Sequence, residues 1–349
     1  MKKPLKRLRV LGIAAGQGAL LYPFVDQKHC KIIANVEPRG VFHTPKEEQW
    51  KLNFGEIPFI KQGFDPNWKP NVIVSSPDCG ASSIMRLSKV KQLGKPEENK
   101  SLNLVIEGIL FYKPKFFILE NLPRLLSLIP RSFFEETFKD YHLTFHEVSV
   151  SEFGNSQISR KRLIIIGIKS RAYKKAFQRI FTVSKLKFTR DTLEPAQTGR
   201  NNINYMPPLN KTLAMYDYRN LPDKTCLTVQ QIHDLWMSDF KNEKKWPIKT
   251  AKMSTLPGVY RLEADKYPLT VRPADRQFRP DGWPLGIQDF RKIMGFPESY
   301  RLFMDDSSEK SYLYWLNKAR YTLAKGSVYE VGLWFFINLR KLMSDSYQK

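Results

Sequence analysis

Cysteines and acidic residues are scarce in this sequence. The three cysteines, Cys30, Cys79 and Cys226, are too sparse for a disulfide framework and indicate a reducing compartment. No Cys-x-x-Cys pair or histidine cluster has zinc-ligand spacing, so we expect no metal site. The 34 acidic residues are outnumbered by 57 lysines and arginines, and the resulting formal charge of +23 indicates a polyanionic partner, with nucleic acid favoured over an anionic membrane surface.

Long apolar runs are absent as well. After a basic tail, the apolar stretch Val10–Val25 is interrupted by glycines and a proline, so it predicts a strand and a turn and not a signal peptide. No stretch is long enough to span a bilayer, and we expect a cytoplasmic protein without membrane contact. The 349 residues, 42% of them hydrophobic, suffice for an ordinary core.

The first half of the chain alternates short apolar runs with helical patterns. The helical spacing is clearest over Ser101–Tyr112, and the runs that predict strands are Arg9–Ala14, Lys31–Val36, Asn71–Ser75, Phe116–Leu119, and the paired segments Leu143–Val150 and Arg162–Ile168. This alternation predicts an α/β fold on a mostly parallel sheet. Polar residues follow several of these runs, at the strand ends where open α/β sheets bind ligands.

The pattern changes near residue 185. We expect a large lobe over residues 1–185 and a smaller, irregular, β-rich lobe over residues 186–300, which is rich in Pro, Asn, Lys and aromatic residues. Residues 301–349 are expected to return to the large lobe, with helical spacing over Tyr312–Met343.

Candidate site residues lie at the ends of the predicted strands. Gly16 and Gly18 let backbone amides approach a cofactor, although a generic tight turn explains them about as well. Glu37 ends the next strand, about 20 residues further on, where a carboxylate can bind ribose hydroxyls. Cys79 follows the third strand in a turn that exposes and tunes a thiol, with a structural cysteine as an equal alternative.

Two further groups flank the fourth and the last strand. Glu120 follows four apolar residues, where a carboxylate is costly to bury unless it is paired. Arg160, Lys161 and Arg162 introduce a strongly apolar strand, and they form either a ligand contact or a solvated face.

In order and spacing, these motifs resemble those of the C5-cytosine methyltransferase family over nearly the whole chain. Pro77-Asp-Cys79 is similar to its Pro-Pro-Cys nucleophile motif, Glu120-Asn-Leu to Glu-Asn-Val, and the segment from Phe153-Gly154 through Gln157, Arg160 and Arg162 to Gly-x-Pro-Gln-x-Arg-x-Arg. Ile293–Pro297 resembles its Gln-Gly-Phe-Pro signature. The residues that match its cofactor motifs are Ala14, Gly16, Gly18, Glu37, Pro38, Glu56, Ile57, Pro77, Gly326 and Ser327.

The resemblance implies a Rossmann-like, S-adenosylmethionine-dependent methyltransferase sheet and a small lobe that recognises the target in double-stranded DNA. Cys79 would add to C6 of a flipped-out cytosine, while Glu120, protonated or sharing a proton, would hold N3 and the exocyclic amine. Arg162 would hold O2, and Arg160 would assist or bind phosphate. Gly80–Lys100 would form a loop that closes over the base. A monomeric bacterial, archaeal or phage enzyme is expected, for which a cognate restriction endonuclease is one conceivable partner.

The sequence also departs from the family pattern. Ala14 replaces a phenylalanine of the cofactor turn, and Asp78 replaces the second proline, so that a carboxylate beside Cys79 would raise the thiol pKa. Lys325 would bring a cation near the cofactor and suit an altered donor, carboxy-S-adenosylmethionine. Methylation of RNA and a catalytically weak DNA-binding protein are the remaining alternatives.

Overall fold

The computed structural model describes residues 7–25, 27–38, 44–79, 99–153, 160–169, 259–261, 276–278, 294–302 and 326–345. The chain divides into two compact units. The first unit comprises Met1–Asn155, Ser159–Phe188 and Gly326–Lys349, and the second comprises Ser156–Ile158 and Thr189–Lys325. In the second unit, β8 (Val259–Arg261) pairs in parallel with β9 (Arg276–Phe278).

The first unit is built on a seven-stranded sheet in the order β3-β2-β1-β4-β5-β7-β6. Its strands are β1 (Leu8–Ile13), β2 (Cys30–Glu37), β3 (Phe59–Lys61), β4 (Val72–Ser75), β5 (Phe116–Asn121), β6 (His142–Ser149) and β7 (Lys161–Ile168). The five strands from β3 to β5 are mutually parallel, whereas β7 is antiparallel to both of its neighbours.

Helices cover both faces of this sheet because the central strands are apolar on both sides. The helices are α1 (Thr44–Phe54), α2 (Lys100–Tyr112), α3 (Leu125–Leu128), α4 (Arg131–Thr137) and α5 (Tyr329–Asp345), and a short 3-10 turn spans Tyr22–Phe24. Along β1, Val10 belongs to the core that includes residues of α1 and α5. Its neighbour Leu11 belongs to the core that includes residues of α2 and α4, as the two-residue period of a strand requires.

This topology decides which residues meet. The carboxyl ends of β1, β2, β4 and β5 lie at one edge of the sheet because these strands are parallel. β1 and β4 are neighbours, but the chain continues from β1 to β2 on one side of this pair and from β4 to β5 on the other, and ligands bind where the strand order reverses in this way. Since β7 is antiparallel to β5, its first residues lie at the same edge, with Leu163 opposite Asn121. The basic run that introduces β7 is thereby brought beside Glu120.

The structure confirms the predicted α/β sheet, including the pairing of the last two strands. The edge strand β3 and helix α1 were not predicted. β3 has only three residues, and α1 is mostly polar, with Trp50 and Phe54 as its buried aromatic residues. The predicted C-terminal helix is present as α5, and residues 312–325 of that prediction lie outside the described residues.

Candidate active site

The turn after β1 is held in left-handed backbone conformations. The φ angles are +49° at Ala14, +61° at Gly16 and +84° at Gly18. A Cβ on Gly18 would lie 2.4 Å from Cε2 of Phe54, so only glycine fits there, whereas a Cβ on Gly16 would meet nothing within 4 Å. Gly16 therefore borders open space, which a ligand can occupy.

Glu37, at the carboxyl end of β2, is 1% exposed and reaches back to this turn. Its Oε1 accepts hydrogen bonds from the Gly16 amide at 2.7 Å and from Asn35 Nδ2 at 3.2 Å, and its Oε2 pairs with Lys46 Nζ at 3.3 Å. An ionised carboxylate offers about four acceptor sites. These contacts fix the carboxylate and leave it acceptor capacity for a ligand.

Asn35 is a site residue that the sequence did not reveal. It is fully buried, its Oδ1 accepts from the Ala15 amide at 3.3 Å, and its Nδ2 also donates to the Gly16 carbonyl at 3.1 Å. A Cβ on Gly12 would lie 2.8 Å from that Oδ1, which accounts for the glycine inside β1. The one feature of the sequence that could have indicated Asn35 is its position as the single amide side chain in the apolar run Lys31–Val36.

The turn after β4 carries the candidate nucleophile. Pro77 is buried, Asp78 is exposed and Cys79 is half-buried. The Pro77 carbonyl accepts from Asn121 Nδ2 at 3.1 Å, which ties this turn to the end of β5. Cys79 is thus held at the ligand-binding edge of the sheet.

Glu120 and Arg162 form an ion pair beside this turn. Arg162 Nε lies 2.6 Å from Glu120 Oε1, with side-chain exposures of 11% and 4%. The second carboxylate oxygen accepts from Ser76 Oγ at 2.6 Å. The hydroxyl of Ser76 is a second contact that the sequence did not reveal, and it links the turn after β4 to β5.

Arg160 is buried near this pair, with 1% of its surface exposed. Its Nη2 donates to the Gly326 carbonyl at 2.7 Å, so it ties the start of β7 to the segment that leads into α5. Burial lowers the pKa of Arg160 to about 9, with Arg162 acting in the same direction and Glu120 and Cys79 opposing it. The guanidinium is therefore still protonated at neutral pH, and its burial favours an assisting role over phosphate binding.

The electrostatic surroundings of Cys79 have opposing effects. Burial raises the pKa of the thiol, and the nearby Asp78 and Glu120 carboxylates raise it further. The Arg162 and Arg160 guanidinium groups lower it. The thiol is therefore less acidic than a free cysteine, and its ionisation depends on these two arginines.

The remaining predicted residues divide into three groups. Pro38 and Ser327 are buried and Gly326 is half-buried, whereas Glu56 is exposed and lies with Ile57 in the turn before the amino end of β3. Gln62, and not Glu56, follows the carboxyl end of β3, and its amide donates to the Glu37 carbonyl at 2.8 Å. The predictions for Gly154, Gln157, Lys325 and most of the Gly80–Lys100 loop lie outside the described residues.

The sequence from residue 8 to residue 313 matches the model of the C-5 cytosine-specific DNA methylase family. The chain belongs to this family. Enzymes of the family methylate cytosine at C5 with S-adenosylmethionine as the donor, so the predicted family, enzyme class and cofactor class are confirmed. No curated protein sequence matches the chain.

Solved structures of methyltransferases share the fold of this cytosine methylase. The Entamoeba histolytica methyltransferase EhMeth is 14% identical, with a TM-score of 0.57 over 99% of this chain and 100% of that one. The S. pombe Dnmt2 methyltransferase is 13% identical, with a TM-score of 0.56 over 97% and 99%. A DNA modification methyltransferase encoded within an E. coli prophage is 15% identical, with a TM-score of 0.55 over 97% and 99%. At these identities the likeness establishes the fold.

The residues at the edge of the methylase sheet fit S-adenosylmethionine. Open space at Gly16, the buried Glu37 carboxylate and the buried Ser327 hydroxyl provide room and polar partners. Ser327 Oγ makes no hydrogen bond with the described part of the chain. The residue pair Tyr22 and Tyr329, with ring centroids 6.2 Å apart, brings the start of α5 close to the 3-10 turn that follows the glycine turn.

The described residues of the methylase contain neither a metal site nor a membrane-spanning helix. Their His, Cys, Asp and Glu side chains form no cluster that could hold a metal ion. Among the same residues, no helix is both long enough and apolar enough to cross a membrane.

Proposed function

We propose that this methylase transfers a methyl group to C5 of cytosine in double-stranded DNA, with Cys79 as the covalent nucleophile. The observation that carries the proposal is the Glu120 carboxylate held between Arg162 at 2.6 Å and Ser76 at 2.6 Å, on the strand beside the turn that presents Cys79. A nucleophile, a carboxyl group and a cation at one edge are the groups that attack on an aromatic ring requires.

Each group has a defined role in the proposed reaction. The Cys79 thiolate forms a bond to C6 of the base, and the electron pair displaced from the C5–C6 double bond makes C5 nucleophilic. When the base binds, Arg162 exchanges its contact with Glu120 for the O2 oxygen. Glu120, which takes up a proton, then donates a hydrogen bond to N3 while the ring gains electron density. After methyl transfer, loss of the C5 proton to a base restores the double bond and releases the Cys79 thiolate.

The cofactor residues hold the donor in the correct orientation. S-adenosylmethionine, when bound, supplies the methyl group as an electrophile. We assign Glu37 to the ribose hydroxyls, because it is fixed by the Gly16 amide and Lys46 and retains acceptor capacity. We assign Gly16, Gly18 and Ser327 to backbone and hydroxyl contacts with the same ligand.

The charge favours a nucleic acid as the substrate, and the family match favours DNA. A formal charge of +23 provides many phosphate contacts, which make binding salt-dependent. Because C6 is shielded in a stacked helix, the base must leave the duplex to reach Cys79. We assign recognition of the surrounding sequence to the second unit, most of which is the continuous segment Thr189–Lys325.

Transfer of labelled methyl groups from S-adenosylmethionine to duplex DNA tests this function. Wild type and Cys30→Ala, which removes a buried cysteine outside the site, should label DNA, whereas Cys79→Ala should not. Mass spectrometry of the digested product should give 5-methylcytosine. Equal labelling by Cys79→Ala would overturn the mechanism, and labelling of RNA alone would overturn the substrate. A carboxymethylated base would identify an altered donor. Salt-sensitive binding of DNA without any labelling would show that the protein binds DNA but does not methylate it.

A further inference from the structure

Both backbone groups of Asp78 are held by a closed ring of hydrogen bonds. The Asp78 amide donates to Ser101 Oγ at 2.8 Å, and Ser101 Oγ donates to Asn99 Oδ1 at 2.8 Å. Asn99 Nδ2 then donates back to the Asp78 carbonyl at 3.3 Å. Because each group donates to the next, the three bonds reinforce one another.

We propose that Asn99 and Ser101 are positioning residues that set the attack geometry of Cys79, an inference that rests on the proposed role of Cys79 as nucleophile. The Asp78 amide belongs to the peptide plane before Asp78, and its carbonyl belongs to the plane that leads to Cys79. Peptide planes are rigid, so fixing both planes fixes the positions of the Cys79 nitrogen and Cα. Asn121 Nδ2 holds the opposite atom of the first plane, the Pro77 carbonyl, at 3.1 Å.

The ring also compensates for the loss of a proline at position 78. Where the family motif has a second proline, this chain has Asp78. Proline fixes its own φ angle and has no N–H, whereas aspartate leaves φ free and adds a donor. Here Ser101 accepts from that donor, so the hydrogen bond restrains the backbone in place of a proline ring.

The anchor of the ring is a helix that packs in the core. Asn99 is the N-cap of α2, and its Oδ1 accepts from the Leu102 amide at 3.1 Å. Leu102 and Val105 are buried in the core beneath the sheet, and Ser101 is itself 5% exposed. The ring thereby transfers the rigidity of α2 to the reactive turn.

Two variants separate positioning from helix capping. Asn99→Asp keeps the cap acceptor, and aspartate is as good an N-cap as asparagine, but it loses the donor to Asp78. Ser101→Ala breaks the ring without changing the charge. Asn103→Asp, one turn further along α2, is the control for the added charge.

The measurement is the rate at which each full-length variant forms a covalent adduct with duplex DNA that contains 5-fluorocytosine. The rate is measured at saturating S-adenosylmethionine and from roughly pH 6 to pH 10, a range that brackets the ordinary cysteine pKa of about 8.5. We expect Asn99→Asp and Ser101→Ala to slow the adduct by about 10- to 100-fold at every pH. The affinity for S-adenosylmethionine and the thermal unfolding of Asn99→Asp should match those of Asn103→Asp.

Three results would overturn the inference. The first is that both ring variants form the adduct at the wild-type rate. The second is that the rate of Asn99→Asp recovers at high pH while Ser101→Ala keeps the wild-type rate. The third is that Asn103→Asp slows the adduct as much as the ring variants do. Cys79→Ala is run beside them. If that variant still forms the adduct, the proposed function fails, whereas loss of the adduct in Cys79→Ala with full rates in the ring variants removes the inference alone.

Discussion

Arg162 Nε lies 2.6 Å from Glu120 Oε1, and this contact exists because β7 runs antiparallel to β5. In a sheet with only parallel strands, the amino end of β7 would lie at the opposite edge from Glu120. The reversal of one strand therefore places a cation beside a carboxyl group near the end of an apolar strand. Without that cation, burial of the Glu120 carboxylate would lower the stability of the fold.

We predict that Arg162→Gln impairs both stability and catalysis. Removal of one partner leaves the Glu120 carboxylate buried and unpaired, which should lower the free energy of unfolding by about 3–5 kcal/mol. The methyl-transfer rate at saturating substrates should fall by about 10²–10³-fold, because a positioned cation is lost. Urea denaturation and single-turnover kinetics measure the two effects. The adjacent, exposed Lys161→Gln is the control and should change neither; a wild-type rate in Arg162→Gln contradicts the assignment.

We predict that Gly16→Ala and Gly55→Ala destabilise the protein equally but differ in cofactor binding. Both glycines have φ near +60°, at +61° and +57°, and a Cβ at either position meets nothing within 4 Å. Each alanine should therefore cost about 1–2 kcal/mol in the free energy of unfolding from backbone strain alone. Calorimetric titration with S-adenosylmethionine should show a greater loss of affinity in Gly16→Ala than in Gly55→Ala, whose residue precedes the predicted cofactor residue Glu56. Equal affinities in the two variants would exclude the turn as the cofactor contact.

We predict that Asp78→Asn shifts the pH dependence of adduct formation downward. Burial chiefly raises the pKa of the Cys79 thiol, and the Asp78 carboxylate adds to this increase. Neutralising the carboxylate lowers the thiol pKa, so the thiolate forms at lower pH and the rising limb of the pH–rate profile moves to lower pH. Asp65→Asn, on a loop remote from Cys79 in sequence, should leave the limb in place. An unchanged limb in Asp78→Asn would show that the carboxylate does not act on the thiol.

The sequence predicted most of the sheet because its strands are apolar and bounded by turn residues. Lys31–Val36 was expected and Cys30–Glu37 is observed, and Phe116–Leu119 extends to Asn121. The short edge strand Phe59–Lys61 was missed because two half-buried residues and one exposed lysine carry no clear pattern. Gln62 follows the carboxyl end of this strand and Glu56 precedes its amino end, and the cofactor role of Glu56 stays a prediction.

The residues that support the site were harder to predict than the residues that react. Cys79, Glu120 and Glu37 stand at strand ends, a position visible in the sequence. The supporting side chains act through hydrogen bonds to residues distant in the chain or to a neighbouring backbone group; they are Asn35, Ser76, Asn99 and Ser101. Such contacts depend on tertiary structure, and no local periodicity signals them.

The most direct test of the central claim is mass-spectrometric mapping of the covalent adduct with 5-fluorocytosine-containing duplex DNA. With S-adenosylmethionine present, the fluorine at C5 blocks the final proton loss, so the enzyme should remain bound to C6 of the methylated base. We predict that the modified peptide carries the adduct on Cys79 and that Cys79→Ala forms none. An adduct on Cys30 or Cys226, or methyl transfer that proceeds in Cys79→Ala, would contradict the account.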